Sequence, residues 1–174
     1  DDETIQSILD LTGQPDFGWM PMQNSEYHLS LSKTWPIKHH WIKPLQQQLA
    51  TKLENHPSLH FSYDKIDIFV NEDKSRSFFA ASVDQSSNTR LLALCSKISA
   101  CIAEFNGPGY YTDPVFHCSL FWRLGDHLEQ EYIDENEAQW MNECSTLLAS
   151  SPITCHFDHL YLKTGNKLFR INLS

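Results

Sequence analysis

Tyr27-His28-Leu29-Ser30-Leu31 and Phe116-His117-Cys118-Ser119-Leu120 read alike: aromatic, His, variable residue, Ser, Leu. Each lies in a stretch that alternates apolar and polar, the period of a half-buried strand. Residues two apart on a strand share a face. His28 and Ser30 therefore point one way, as do His117 and Ser119, while Tyr27, Leu29 and Leu31, with Phe116, Cys118 and Leu120, turn to a core. Two such strands side by side would offer two imidazoles and two hydroxyls to one cleft, a set suited to acid–base work on a phosphate.

The triplet His-x-Ser alone carries little weight, because it occurs four times among nine histidines. His56-Pro57-Ser58 and His60-Phe61-Ser62 flank a proline-containing connector, where a polar loop is the default. The copies at 28 and 117 differ from these in their aromatic flank, their strand pattern and the shared Leu.

Working outward, 174 residues suit one domain, 1–174, with two similar lobes at about 26–105 and 110–174 and an N-terminal extension at 1–25. With 41% hydrophobic and 20% charged residues, the chain builds a core rather than remaining disordered. The lobes repeat strand, helix, hairpin. In the first, a motif strand at 26–33 leads to a helix from Trp41 to Glu54, a hairpin over 61–83 and a helix from Thr89 to Phe105. In the second, a motif strand from Val115 to Trp122 leads to a helix from Leu128 to Leu148. A strand from Ile153 to Lys163 and a return from Leu168 to Leu173 close that lobe. A short helix through Ile5, Ile8, Leu9 and Leu11 and a loop over 13–25 precede both lobes. The fold class is α+β, and a pseudo-twofold duplication would set the motif strands face to face across a groove.

The net charge of −9 argues against broad non-specific nucleic-acid binding, which needs a basic surface. Much of the acid lies between Asp126 and Glu143 and reads as a solvated helix face. No apolar run in the sequence is long enough for a transmembrane helix, so no membrane is expected. Five cysteines without a C-x-x-C pair read as reduced, packed thiols, which places the chain in the cytosol or nucleus.

With these residues in view, the sequence resembles the two-histidine (2H) phosphoesterases, and within them the U6 small nuclear RNA phosphodiesterase family. The resemblance rests on Tyr27 to Leu31 with Lys33, on His39-His40-Trp41-Ile42 with Pro44, and on Asn71 to Arg76. It rests also on the string from Tyr111 to Leu120 and on the Gly165-Asn166-Lys167 turn. Cys118 departs from the pattern at a position facing away from the cleft. The resemblance implies a two-lobed fold with antiparallel sheets lining a groove. It implies metal-independent 3′-to-5′ trimming of an RNA 3′ end, the oligo(U) tail of U6 RNA. It also implies a 2′,3′-cyclic phosphate product that some members open to a monophosphate, no cofactor, a monomer and a nuclear location.

Cleaving RNA without a metal needs a base for the 2′-hydroxyl and an acid for the leaving 5′-oxygen, and imidazole serves as either near neutrality. His28 and His117 are the candidate pair. Ser30 and Ser119 lie about 7 Å along the strand from their His, too far to be activated nucleophiles but placed to hydrogen-bond phosphate oxygens. Tyr111, ahead of the Asp113-Pro114 turn, is the candidate for stacking on the terminal base. Lys74, Arg76, Lys163 and Lys167 on two hairpins are candidate phosphate contacts. Three other readings stay open. A cyclic phosphodiesterase of the same superfamily would act on cyclic nucleotides or RNA ends. A non-catalytic RNA-binding module would not need two facing histidines. A metal hydrolase would draw on Cys155, His156 and His159 or on His39-His40, though His156 and His159 fall on opposite faces of a strand.

Overall fold

The computed structural model describes residue 10 and residues 17–23, 27–129 and 134–174. Its strands are β1 (Met20–Pro21), β2 (Leu59–Val70), β3 (Arg76–Val83), β4 (His117–Leu124), β5 (Ile153–Phe157), β6 (His159–Thr164) and β7 (Lys167–Asn172). Its helices are α1 (Ile42–Leu53), α2 (Asn88–Ala103) and α3 (Glu135–Ser150). A five-stranded sheet runs β1-β4-β3-β2-β5, and β6 pairs with β7. The described residues form two compact units that interleave along the chain. One takes the described residues up to 29, with 62–84, 115–129 and 134–154, and the other takes 30–61, 85–114 and 155–174. This differs from contiguous lobes at 26–105 and 110–174: antiparallel pairing of β3 with β4 draws the second motif, together with the helix that follows it, against the first hairpin.

In the first unit the sheet has two unlike faces. On β3, Ser77, Phe79 and Ala81 are fully buried and alternate with Arg76 and Phe78, which reach the other side. α3 packs on the buried face, where Trp140 stacks on Phe79 at 4.4 Å between centroids and Phe121 meets it edge-on. Asp134 starts α3 by accepting from the backbone N–H groups of Asn136 (2.8 Å) and Glu137 (3.4 Å).

Glu137 is an exception to the reading of 126–143 as a solvated face: Glu129, Asp134, Glu135 and Glu143 are exposed, whereas Glu137 is only 4% exposed. Its Oε1 accepts from the Trp19 indole N–H at 2.6 Å and from Arg123 at 3.3 Å. Arg123 also donates to Nδ1 of the buried His127 at 3.2 Å, which leaves the His127 proton on Nε2, 3.8 Å from the same carboxylate. A lone acidic residue inside an acidic run gives no sequence signal of burial; the partners come from other segments.

In the second unit, α1 buries Leu45, Leu49 and Leu53 at four-residue spacing. α2 buries Leu91, Leu94, Cys95, Ile98, Cys101 and Ile102. α2 ends where Asn106 turns to φ 56° and the Gly107 N–H closes on the Ile102 carbonyl at 3.1 Å. A Cβ at Gly107 would run into the Ile102 side chain and the Trp35 ring.

Both hairpins, α1 and α2 form as their periodicity predicts. Other expectations are corrected. Described residues 27–33 of the expected strand at 26–33 form none; among them Leu29 makes a β-bridge, to Cys118. The presumed loop over 13–25 contains β1, paired as Met20 with Trp122 and Pro21 with Phe121. The helix expected from Leu128 starts at Glu135, after a 3-10 turn over His127–Glu129. The strand expected from Ile153 to Lys163 breaks at Asp158 into β5 and β6. The short helix through Ile5, Ile8, Leu9 and Leu11 lies outside the described residues. All five cysteines are buried free thiols, and no described helix is long and apolar enough to cross a membrane.

The buried cluster sets an acid sensitivity. Burial holds the His127 imidazole below the ordinary histidine range despite the nearby Glu137. The unfolded chain therefore takes up a proton near pH 6.5 that the folded chain refuses, so stability falls as pH drops below about 6.5. Urea titrations at pH 7.5 and 5.5 should show this loss, and His127→Asn should flatten it. Glu137→Ala, which strands a guanidinium and an indole N–H, should cost about 3–5 kcal/mol at neutral pH.

Candidate active site

The edge of the first unit's sheet brings the two motif histidines together. β4 is hydrogen-bonded on one side to β3, and on the other Met20, Pro21 and Leu29 pair with it antiparallel. Met22 N–H donates to the Leu120 carbonyl at 2.9 Å, and Leu29 bridges Cys118. The Tyr27 hydroxyl donates to the Met22 carbonyl at 3.0 Å, tying these two contacts together. With Leu29 opposite Cys118, the pleat sets the exposed His28 on the face that carries His117 and Ser119.

His117 is half-buried. Its register partner on β3 is Ser82, and Ser119 lies opposite the fully buried Ala80. The Phe69 ring covers one face of the imidazole at 3.8 Å between centroids and 14° between planes. Nδ1 lies 2.8 Å from the Val115 carbonyl oxygen. A carbonyl can only accept, so Nδ1 carries the proton and neutral His117 presents a bare Nε2 lone pair. Asp67 stands on the same face, accepting from Ser82 Oγ at 2.7 Å and pairing with Lys65 at 3.0 Å.

Burial holds the His117 imidazole below the ordinary histidine range. The bond to Val115 pulls it back up, positive charge on His28 pushes it down, and Asp67 raises it. The electrostatic coupling to His28 matters chemically, because it favours one neutral and one charged imidazole over two charged ones.

The other expected site residues are distributed as follows. Ser30 and Tyr111 belong to the second unit. There the Tyr110 hydroxyl donates to the Ser30 carbonyl at 2.8 Å, and Tyr111 is 48% exposed with the Lys33 ammonium 4.1 Å above its ring. Tyr111 is thus a surface ring, as a base-stacking residue must be. Lys74 is engaged by Asp126 and Glu129 rather than projecting freely. Arg76 lies over the Trp122 ring at 4.8 Å. Lys163 and Lys167 flank the exposed turn between β6 and β7. Among the described residues no three His, Cys, Asp or Glu side chains gather as metal ligands. His156 stacks on His60 at 4.2 Å, and His159 pairs with Asp158.

Phe69, Val115, Asp67 and Ser82 around His117 were not foreseen. The available signal was an aromatic, Phe69, in the polar phase of β2. Val115 acts through its backbone, which side-chain patterns do not reveal.

Three comparisons bear on this site. A family model described as HVSL, uncharacterised conserved protein, matches residues 4–172. Human U6 snRNA phosphodiesterase 1 is 32% identical over 152 residues, which is 84% of this chain and 55% of the relative. The chain thus spans about half the length of the curated relatives it matches. Among solved structures, Kluyveromyces marxianus Usb1 with uridine monophosphate aligns with a TM-score of 0.58 at 17% identity, covering 98% of this chain and 87% of that one. Escherichia coli LigT complexed with NADP+ aligns with a TM-score of 0.55 at 14% identity, over 100% and 90%.

The environment of His117 predicts its titration. In wild-type protein its ring-proton NMR signal should titrate with a midpoint below 6.5. Phe69→Ala opens one face of the ring to water, so the midpoint should move upward. His28→Ala removes the neighbouring charge and should also move it upward.

Proposed function

Since this chain belongs to the HVSL family and has the α+β fold of the 2H phosphoesterases, we propose that it is a metal-independent 3′-to-5′ RNA phosphodiesterase. It removes the terminal nucleotide from the oligo(U) tail of a U6-type RNA and leaves a 2′,3′-cyclic phosphate. The observation that carries this reading is the electrostatically coupled pair His28 and His117 on one sheet face, with Nε2 of neutral His117 left open. The name of the human relative, U6 snRNA phosphodiesterase 1, supports the substrate class.

In this reading Nε2 of His117 takes the proton of the penultimate 2′-hydroxyl. The 2′-oxygen attacks the adjacent phosphorus, and the bond to the terminal 5′-oxygen breaks. His28, in its charged form, gives that oxygen its proton, and a nucleoside departs. Water enters only if the cyclic phosphate is later opened. Ser119 and Ser30 donate to the phosphate oxygens as charge builds. Tyr111 stacks on the terminal base. The partner is the RNA 3′ end, the working form is a monomer, and the place of action is the nucleus.

His28→Ala and His117→Ala should each slow cleavage of a 5′-labelled oligouridine at least a hundredfold, the usual contribution of an acid or base. The wild-type rate should fall on acidification through the His117 titration, below pH 6.5, and fall again at higher pH as the acid loses its proton. Retention of more than about a hundredth of the rate in either variant would contradict these roles.

The nucleophile and the metal requirement are tested with two oligonucleotides differing only in a 2′-deoxy sugar at the penultimate position. Cleavage of the ribo form should persist in EDTA and end in a cyclic phosphate. The deoxy form should bind with similar affinity and remain intact. Equal cleavage of both would mean that water attacks, and loss in EDTA restored by zinc would point to a metal hydrolase.

A further inference from the structure

The face that carries His117 continues as an aromatic row. Phe69 of β2 pairs in register with Phe78 of β3, and Phe78 pairs with Trp122 of β4. Cross-strand partners share a face. A one-residue irregularity between Phe79 and Ala80 keeps Trp122 in phase with His117 and Ser119, by setting Leu120 and Phe121 both into the core. All three rings are half-exposed, whereas Phe79 and Phe121 on the opposite face are sealed under Trp140 of α3. Phe69 begins the row against His117, and the Arg76 guanidinium ends it, 4.8 Å over Trp122.

Aromatic cross-strand pairs are common in sheets, but here the row is half-exposed and runs from a site histidine to an arginine. Three adjacent rings capped by a guanidinium have the composition of a stacking platform for single-stranded nucleic acid. Neighbouring strands lie about 4.8 Å apart, so the row spans roughly 10 Å, enough for two to three bases at about 3.4 Å stacking. It also begins at the imidazole assigned to the scissile phosphate. Only one side of that phosphate is discarded, so the retained RNA must leave the site over some surface.

Resting on the function proposed above, we propose that Phe69, Phe78, Trp122 and Arg76 form an upstream binding strip. It holds the two or three nucleotides 5′ of the scissile phosphate by base stacking and one phosphate contact. For a protein with a net charge of −9, stacking supplies affinity that general electrostatic attraction cannot.

The experiment compares kcat/KM for the dinucleotide UpU and for an octauridylate, using the 174-residue chain. Wild type should prefer the octamer by tenfold or more. Trp122→Ala and Phe78→Ala should each reduce that preference by roughly five- to a hundredfold, chiefly through KM. Trp122→Leu keeps apolar bulk without a stacking ring and serves where Trp122→Ala does not fold; it should reduce the preference in the same direction. Arg76→Gln should make the slope of log affinity against log salt shallower by about 0.7, for a fluorescent octamer blocked by a penultimate deoxy sugar. Equal wild-type rates on the two substrates, or variants that lose both equally, would overturn the strip. If wild type cleaves neither substrate, yet Trp122→Leu still weakens binding of the blocked octamer, the strip stands and the catalytic proposal falls. No binding of that octamer by wild type would overturn the strip.

Discussion

Everything at the candidate site depends on the antiparallel contact between the chain ahead of α1 and the free edge of β4. A sheet edge presents unpaired N–H and C=O groups, and something must satisfy them. Here residues 20–22 do so in one place and Leu29 in another. Each backbone hydrogen bond has a modest net value, but together they fix a register. A slip of one residue would turn His28 to the core side and Leu29 to the solvent side.

The environment of His117 follows from where that register places it. Phe69 withholds water from one ring face, the Val115 carbonyl fixes the tautomer, and His28 adds charge of like sign. The three effects come from different segments of the chain: β2, the residue pair leading into β4, and the segment beside β4. Burial and the His28 charge favour the neutral imidazole against the upward pull of the Val115 bond, which itself leaves Nε2 as the open nitrogen. Asp67 opposes them, but Ser82 and Lys65 already engage its carboxylate, which tempers its pull.

The same sheet separates structural from chemical work. Its helix-covered face holds the aromatic core and the carboxylate of Glu137, whose partners come from residues 19, 123 and 127. Its other face holds the histidines and the row ending at Arg76. The irregularity at Phe79 and Ala80 lets one strand serve both, since Leu120 and Phe121 are buried in succession before Trp122 returns to the open face.

The sequence by itself determined the local elements and the identity of the chemical groups. Period-2 alternation marked both hairpins, leucine spacing marked α1 and α2, and the repeated aromatic-His-x-Ser-Leu pattern marked His28 and His117. These signals are legible because side-chain direction within an element depends only on backbone geometry. Only the tertiary structure decided that the first motif is an edge segment held by single contacts, that Glu137 is interior, and that Lys74 is committed to Asp126 and Glu129. It also decided that Phe69 covers His117 and lines up with Phe78 and Trp122. The physical reason is that burial, charge coupling and cross-strand register are set by segments far apart in the chain, and no local pattern records which of them will meet.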